Sequence, residues 1–264
     1  MKLENRRIWI TGAASGIGEA MARQLSGVAS LLIISDLNAE RLLALKPELE
    51  KGITTVDALP FDLSNRTEVE KAADKVLATY GGVDLLINNG GISQRGLFYE
   101  TTEEVDRRIM EINYFSYVVL TKKMLPPMLA QGFGHIAATS SMTGKFGFPL
   151  RSSYAASKHA VQGYFETVGL ELYDRGIRVT VASPGRIRTN ISVNALSGEG
   201  TRYGQMDPGQ AGGMPAEKCA ARYLRAIRRD QWEVYIGYNE ILMIWFKRYL
   251  PWLFRKLALR VGKV

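Results

Sequence analysis

The chain has 264 residues, 46% of them hydrophobic and 23% charged, which is enough for a substantial core and excludes a disordered or fibrous polypeptide. A single cysteine, Cys219, excludes an intrachain disulfide framework and suits a reducing interior. Two histidines, His135 and His159, with no cysteine cluster or paired carboxylates at ligand spacing, argue against a metal site, and the net charge of +8 comes with no nucleic-acid recognition module.

Residues 7–11, Arg-Ile-Trp-Ile-Thr, form an apolar run that predicts a buried first strand. Gly12, Gly16 and Gly18 follow at once, with Ser15 and Ile17 between them, ahead of a helical stretch from Glu19 to Leu25. Strand, glycine turn and helix together suit a pyrophosphate. The glycines admit close backbone approach, and the helix N-terminus offers N–H groups and a partial positive charge. Taken alone, such a glycine trio also marks a tight turn.

Residues 31–35 predict a second strand, ending in Asp36 roughly 20 residues past the glycines, where a carboxylate accepts hydrogen bonds from an adenosine ribose and repels a 2′-phosphate. No Arg or Lys adjoins Asp36, so NAD is favoured and NADP is the alternative. Asp36 and Asn38 also suit the N-terminal cap of a helix from Ala39 onward. Further strands are expected at 54–59, 85–88, 135–139, 178–182 and 233–236, with helices between them. The alternation predicts one α/β domain, a Rossmann-type doubly wound parallel sheet with helices on both faces. Thr101 with Glu104 has capping-box spacing for a helix from Thr102 toward Met124, and Pro126-Pro127 should end or kink it.

Residues 152–175 are free of proline and read as helix, which puts Tyr154 and Lys158, four apart, on one face. A phenol titrates near pH ~10, and an adjacent ammonium lowers that value, so Lys158 is the expected tuner of Tyr154 as an acid/base. Ser141 follows the 135–139 strand, where its hydroxyl could hold a substrate oxygen, although Ser140 and Ser141 also suit ordinary loop polarity.

The ordered set of glycine turn, Asp36, Asp62-Leu63, Asn88-Asn89-Gly90-Gly91, Asn113, Ser141, Tyr154, Lys158 and Pro184-Gly185 resembles the short-chain dehydrogenase/reductase family over about residues 5–240. The resemblance implies catalytic roles for Asn113, Ser141, Tyr154 and Lys158, with Asn113 bending its helix and holding a water that links the lysine to solvent. It assigns adenine contact to Asp62 and Leu63. Asn89 and Gly90 would wall the cofactor, and Gly90, in place of the family's alanine, implies looser packing there. Pro184, Gly185, Ile187 and Thr189 belong to a cofactor-binding stretch in which Ile187 and Thr189 would meet the nicotinamide end, while Arg186 and Arg188 are expected to be solvated or to attract an anion. A homodimer or homotetramer is implied as well.

Residues 189–195 and 202–207 carry a narrower likeness, to members 7 and 7B of that family. It implies a small lipophilic carbonyl or alcohol substrate, steroid-like or retinoid-like. Those relatives have an N-terminal membrane segment, which this chain is expected to lack, along with any signal sequence. Two other readings stay open: an NADPH-dependent carbonyl reductase, with Arg41 reaching a 2′-phosphate, and a non-catalytic cofactor- or lipid-binding scaffold on the same fold.

The glycine-dense segment between Ser192 and Pro215 predicts a mobile substrate lid, within a lid region 190–215 of a catalytic domain 1–240. The extension 241–264 is basic and amphipathic. Met243, Phe246, Leu250, Leu253, Phe254, Leu257 and Val261 form an apolar stripe, and Lys247, Arg248, Arg255, Lys256, Arg260 and Lys263 supply the charge. Pro251 marks a kink or a helix start. The stripe is expected to pack on the core, over the pocket or on a second subunit, with peripheral membrane contact as the alternative. The expected location is cytoplasmic or peripheral at a membrane surface.

Overall fold

The computed structural model describes residues 1–261. β1 (Arg7–Thr11) leads through the glycine turn to α1 (Gly16–Leu25), then β2 (Leu31–Ser35), α2 (Ala39–Leu49), β3 (Thr55–Ala58), α3 (Arg66–Tyr80) and β4 (Leu85–Asn88). β5 (Gln94–Arg95) precedes α4 (Glu103–Met110), a π-helical turn (Glu111–Phe115), α5 (Ser116–Gln131) and β6 (Gly134–Thr139). α6 (Ser152–Leu172) feeds β7 (Ile177–Pro184) and β8 (Ile187–Arg188). The chain then runs through β9 (Leu196–Ser197), α7 (Pro208–Ala211), β10 (Met214–Pro215), α8 (Ala216–Arg228), β11 (Glu233–Ile236), α9 (Leu242–Tyr249) and α10 (Pro251–Val261).

Seven strands make one parallel sheet in the order β11-β7-β6-β4-β1-β2-β3. Strand order reverses between β1 and β4, the switch point at which doubly wound sheets bind ligands beyond their carboxyl ends. Alternate side chains serve the two faces. Ile8, Ile10, Leu32 and Ile34 pack with Met21, Leu25, Leu45 and Tyr223 on one side, while Trp9, Ile33 and Leu86 pack with Val69, Tyr117, Leu120 and Phe165 on the other. Coverage on both faces explains why these strands read as unbroken apolar runs.

Two local expectations are corrected. The cap of α4 is Thr102, whose Oγ1 accepts from Val105 N at 3.4 Å. Thr101 closes a 3₁₀ turn, Phe98–Glu100, and its hydroxyl is already engaged by Leu97 O and Gln94 Nε2. Of the two outcomes expected at Pro126 and Pro127, an end to the helix is overturned: α5 runs on to Gln131 and stops at Gly132 in the left-handed conformation (φ 72°). An interior proline costs about 3 kcal/mol. The fully buried Tyr117, Leu120, Met124 and Met128 each contribute roughly 1.5–3 kcal/mol, which offsets both prolines.

The lid region is irregular but tied down: β9 pairs with β5, and β10 pairs with β8. Pro251 starts α10, and Phe254 meets Phe146 edge-on at 5.3 Å, so part of the C-terminal stripe packs on the body. Lys263 lies outside the described residues. Among the described residues no helix is long and apolar enough to cross a membrane.

Candidate active site

The floor of the site is the junction of β1 and β4. The Thr11 hydroxyl accepts from the backbone N–H groups of Asn89 and Gly90, both at 3.0 Å, and Asn89 Nδ2 donates back to Thr11 O at 3.1 Å. Gly12 has φ +67°, and a Cβ there would sit 2.6 Å from Gly90 Cα. At Gly18 a Cβ would fall 2.0 Å from Gly12 O, so this glycine lets α1 press against the turn. Gly16 lies under Thr189, whose Cγ2 is 3.0 Å from where its Cβ would be. Looser packing at Gly90 is not what the structure contains: Leu63 Cδ1 lies 2.5 Å from the position of an added Cβ and fills the space itself.

Asp36 is not a helix cap; Asn38 caps α2, its side chain accepting from Arg41 N at 2.9 Å. The Asp36 carboxylate instead accepts from Ala14 N and Asn38 N, each at 3.1 Å, which ties the end of β2 to the glycine turn. Arg41 is held by Glu19 at 2.7 Å and lies 3.7 Å from Glu48.

A cavity of about 1010 Å³ extends from this cradle across the carboxyl edge of the sheet. Of the residues singled out in the sequence, Gly12, Ser15, Gly16, Ile17, Asp36, Asp62, Leu63, Asn89, Gly90, Ser141, Tyr154, Lys158, Pro184, Gly185, Ile187 and Thr189 all line it. Gly18 and Asn113 stand behind its wall. Neither histidine lines it, and among the described residues no cluster of three or more His, Cys, Asp or Glu side chains is placed to hold a metal.

Asn113 sits in the middle of the π-helical turn, where one extra residue per turn swings its carboxamide inward. Its Oδ1 accepts from Ile92 N, and its Nδ2 donates to Ile92 O and Ser157 Oγ, at 2.9, 2.9 and 3.0 Å. A Cβ on Gly91 would lie 2.8 Å from Asn113 Oδ1 and 3.5 Å from Lys158 Nζ, so this glycine leaves room for both side chains. The Ser141 hydroxyl accepts from Thr143 N and Thr143 Oγ1 at 3.2 and 3.0 Å. Ser140 is buried, its hydroxyl spent on Lys158 O.

The electrostatics differ from the spacing argument. Lys158 Nζ donates to Thr139 O at 2.8 Å and stands 5.8 Å from the centre of the Tyr154 ring. Burial draws its pKa down to about 7, so its charge is weakly held. Burial likewise pushes the Tyr154 phenol up, and the opposing pull comes first from the Ser141 hydroxyl and then from Arg95 and Arg151. Those two arginines converge on Asp207 of the lid, Arg95 Nη2 at 2.6 Å and Arg151 Nη2 at 2.8 Å. All three line the cavity, and sequence reasoning missed them, because nothing in their spacing links a strand-end arginine, a residue before α6 and a lid carboxylate.

Comparisons with known proteins agree with this geometry. The family model for short chain dehydrogenase matches residues 6–200. Dehydrogenase/reductase SDR family member 7B of Bos taurus is 39% identical over 99% of this chain and 83% of that protein. Dehydrogenase/reductase SDR family protein 7-like of Drosophila melanogaster is 36% identical over 98% and 82%. Among solved structures, a short chain dehydrogenase/reductase from Burkholderia phymatum in complex with NAD superposes with a TM-score of 0.83 at 22% identity over 96% of each chain. A short-chain dehydrogenase from Sphingobium yanoikuyae in complex with NADPH gives 0.78 at 25% identity, over 98% of this chain and 96% of that one. The chain belongs to the short-chain dehydrogenase/reductase family, as an oxidoreductase acting on CH–OH groups with a nicotinamide cofactor.

Proposed function

We propose that this enzyme prefers NAD and acts on a lipophilic alcohol or ketone, with Tyr154 transferring the proton. The observation that carries this reading is that Ser141, Tyr154 and Lys158 line the same cavity as the glycine turn and Asp36. The residues present fit a dinucleotide: Gly12 and Gly16 keep clear the space that side chains would fill, and the carboxylate of Asp36 stands where a ribose would be held. Gly12, Ser15, Gly16 and Ile17 would hold the pyrophosphate, with Gly18 letting the helix approach. Asp36 would hold the adenosine ribose, and Asp62 with Leu63 the adenine. Asn89 and Gly90 would form the wall, and Pro184, Gly185, Ile187 and Thr189 the nicotinamide end.

The bound nicotinamide supplies or accepts the hydride. Tyr154 Oη gives a proton to the carbonyl oxygen on reduction and takes it from the alcohol on oxidation. Ser141 Oγ, fixed by its Thr143 contacts, holds that oxygen. Lys158 Nζ would orient the nicotinamide ribose, and Asn113, fixed by Ile92 and Ser157, would hold a water that returns the proton from the lysine to solvent. NAD preference is supported by Asp36 and by the engagement of Arg41 with Glu19. A lipophilic substrate is supported by Ile92, Met142, Phe146, Phe148, Leu150 and Met243 along the other end of the cavity.

Titration of the purified protein with NADH and NADPH, followed by cofactor fluorescence, tests the cofactor assignment. Tighter binding of NADH by roughly tenfold or more is expected from a ribose-binding carboxylate. Equal or tighter binding of NADPH removes the assignment. Lipophilic secondary alcohols and ketones, assayed with the preferred cofactor, then test the substrate class against short polar analogues.

A further inference from the structure

α9 and α10 have one face turned to the body and one to solvent. Inward, Met243 lines the active-site cavity, Glu240 just before α9 accepts from Arg186 N at 3.0 Å, and Phe254 packs on Phe146. Outward, Trp252 is 67% exposed, Tyr249 63%, Leu259 59% and Trp245 51%, and Trp245 stacks on Tyr249 at 5.7 Å between ring centres. Lys247, Arg248, Arg255, Lys256 and Arg260 lie on the same two helices. Among the described residues none of these five pairs with a carboxylate; Lys247 instead rests over the Phe254 ring and Arg248 over Tyr249.

Aromatic and aliphatic exposure on this scale marks a contact surface. Its occupant must answer both the apolar rings and the five cations. A second copy presenting the same face would bring five more cations and only Glu240 as an acid, which is already engaged. An apolar protein surface would leave the cations desolvated without partners. A surface that is apolar beneath and negative above satisfies both, since indole and phenol rings settle at headgroup depth while lysine and arginine reach the anionic headgroups.

We propose that α9 and α10 dock the enzyme on an anionic lipid bilayer. Docking through the outward face sets α9 and α10 between the bilayer and the wall of the cavity that Met243 lines. The docking surface stands independently of the substrate reading, because it is carried by exposure and charge.

The test uses the full chain with large vesicles of phosphatidylcholine alone or with about 30% phosphatidylserine at roughly 0.15 M salt. Co-sedimentation at least roughly tenfold stronger with the anionic vesicles, weakened by added salt, and a blue shift of tryptophan emission are expected. Reversal of exposed charges (Lys256→Glu with Arg260→Glu) should abolish the preference, and Trp245→Ser with Trp252→Ser should abolish the blue shift, both with unchanged thermal melting and NADH fluorescence. No binding to either vesicle, or binding unchanged in both variants, overturns the proposal. Light scattering that shows a dimer dissolved by the tryptophan substitutions assigns the face to a second copy and also overturns it.

Discussion

Asp207 and Arg95 form a two-pronged ion pair, Nη2 to Oδ2 at 2.6 Å and Nε to Oδ2 at 3.0 Å, which clamps a lid residue to β5 beside the cavity. The Arg95 side chain is 4% exposed and that of Asp207 18%, so water screens the pair only weakly. Burial alone would push the Asp207 carboxyl up, but hydrogen bonds and charge from Arg95 and Arg151 outweigh it and hold it below the usual carboxylate range. Asp207→Asn should therefore free the lid and leave the buried Arg95 and the half-buried Arg151 unneutralised. We expect KM to rise by about tenfold with a smaller change in kcat, at a stability cost of about 1–3 kcal/mol. Amide exchange should accelerate between 192 and 215 and stay unchanged in the sheet. Unchanged exchange there would mean that the ion pair does not restrain the lid.

Tyr154→Phe removes the phenol and leaves the ring, which is only 8% exposed and well packed. Turnover should fall by roughly 10²–10⁴-fold while the dissociation constant for NADH stays nearly the same. Stopped-flow and fluorescence titration separate the two quantities. Turnover near the wild-type rate in this variant would remove Tyr154 as the proton donor.

Lys158→Met should stabilise the cofactor-free protein. A lysine held at about 7 in the folded chain, against ~10.4 unfolded, binds fewer protons when folded. Its burial therefore costs most below pH ~7, and stability is recovered as pH rises from there toward ~10.4. The gain from methionine should reach about 3–5 kcal/mol near pH 6 and shrink toward pH 10, read from denaturant melts at each pH. Activity should be lost at every pH. A gain that does not vary with pH would mean that Lys158 is not desolvated in solution.

Two glycines beside the Gly12 turn, Gly18 and Gly90, should respond differently to alanine. Gly18→Ala drives a Cβ to 2.0 Å from the Gly12 carbonyl oxygen, a backbone atom that cannot retreat without opening the glycine turn. Loss of cofactor binding and destabilisation of about 2 kcal/mol or more are expected. Gly90→Ala meets Leu63 Cδ1, the mobile end of a side chain, while Gly12 N, the nearest backbone atom, stays at 3.1 Å, so it should cost less than about 1.5 kcal/mol with cofactor binding retained. Thermal melts and NADH titration of the pair decide the matter, and equal damage from both would contradict the geometry.

The local elements of this protein were determined by its sequence alone, because they depend on near neighbours. The runs at 31–35 and 85–88 are buried on both faces and could be little but strands, and a separation of four placed Tyr154 and Lys158 on one helical face. The glycine turn was legible because close backbone approach leaves no room for a Cβ. The cap at Thr102 and the unbroken α5 were not, since each is decided by a competing partner: Leu97 and Gln94 for Thr101, and the sheet for the prolines. The same holds for the charges. Arg95, Arg151 and Asp207 meet across separations of 112 and 56 residues, and the weakly held charge of Lys158 comes from a desolvation that no spacing reports. Residue type and local order announced which groups gather at the cavity; which cations act on Tyr154, and what ties down the 192–215 segment, were decided by burial and long-range packing, because electrostatic strength is set by the surrounding medium, and that medium exists only in the folded chain.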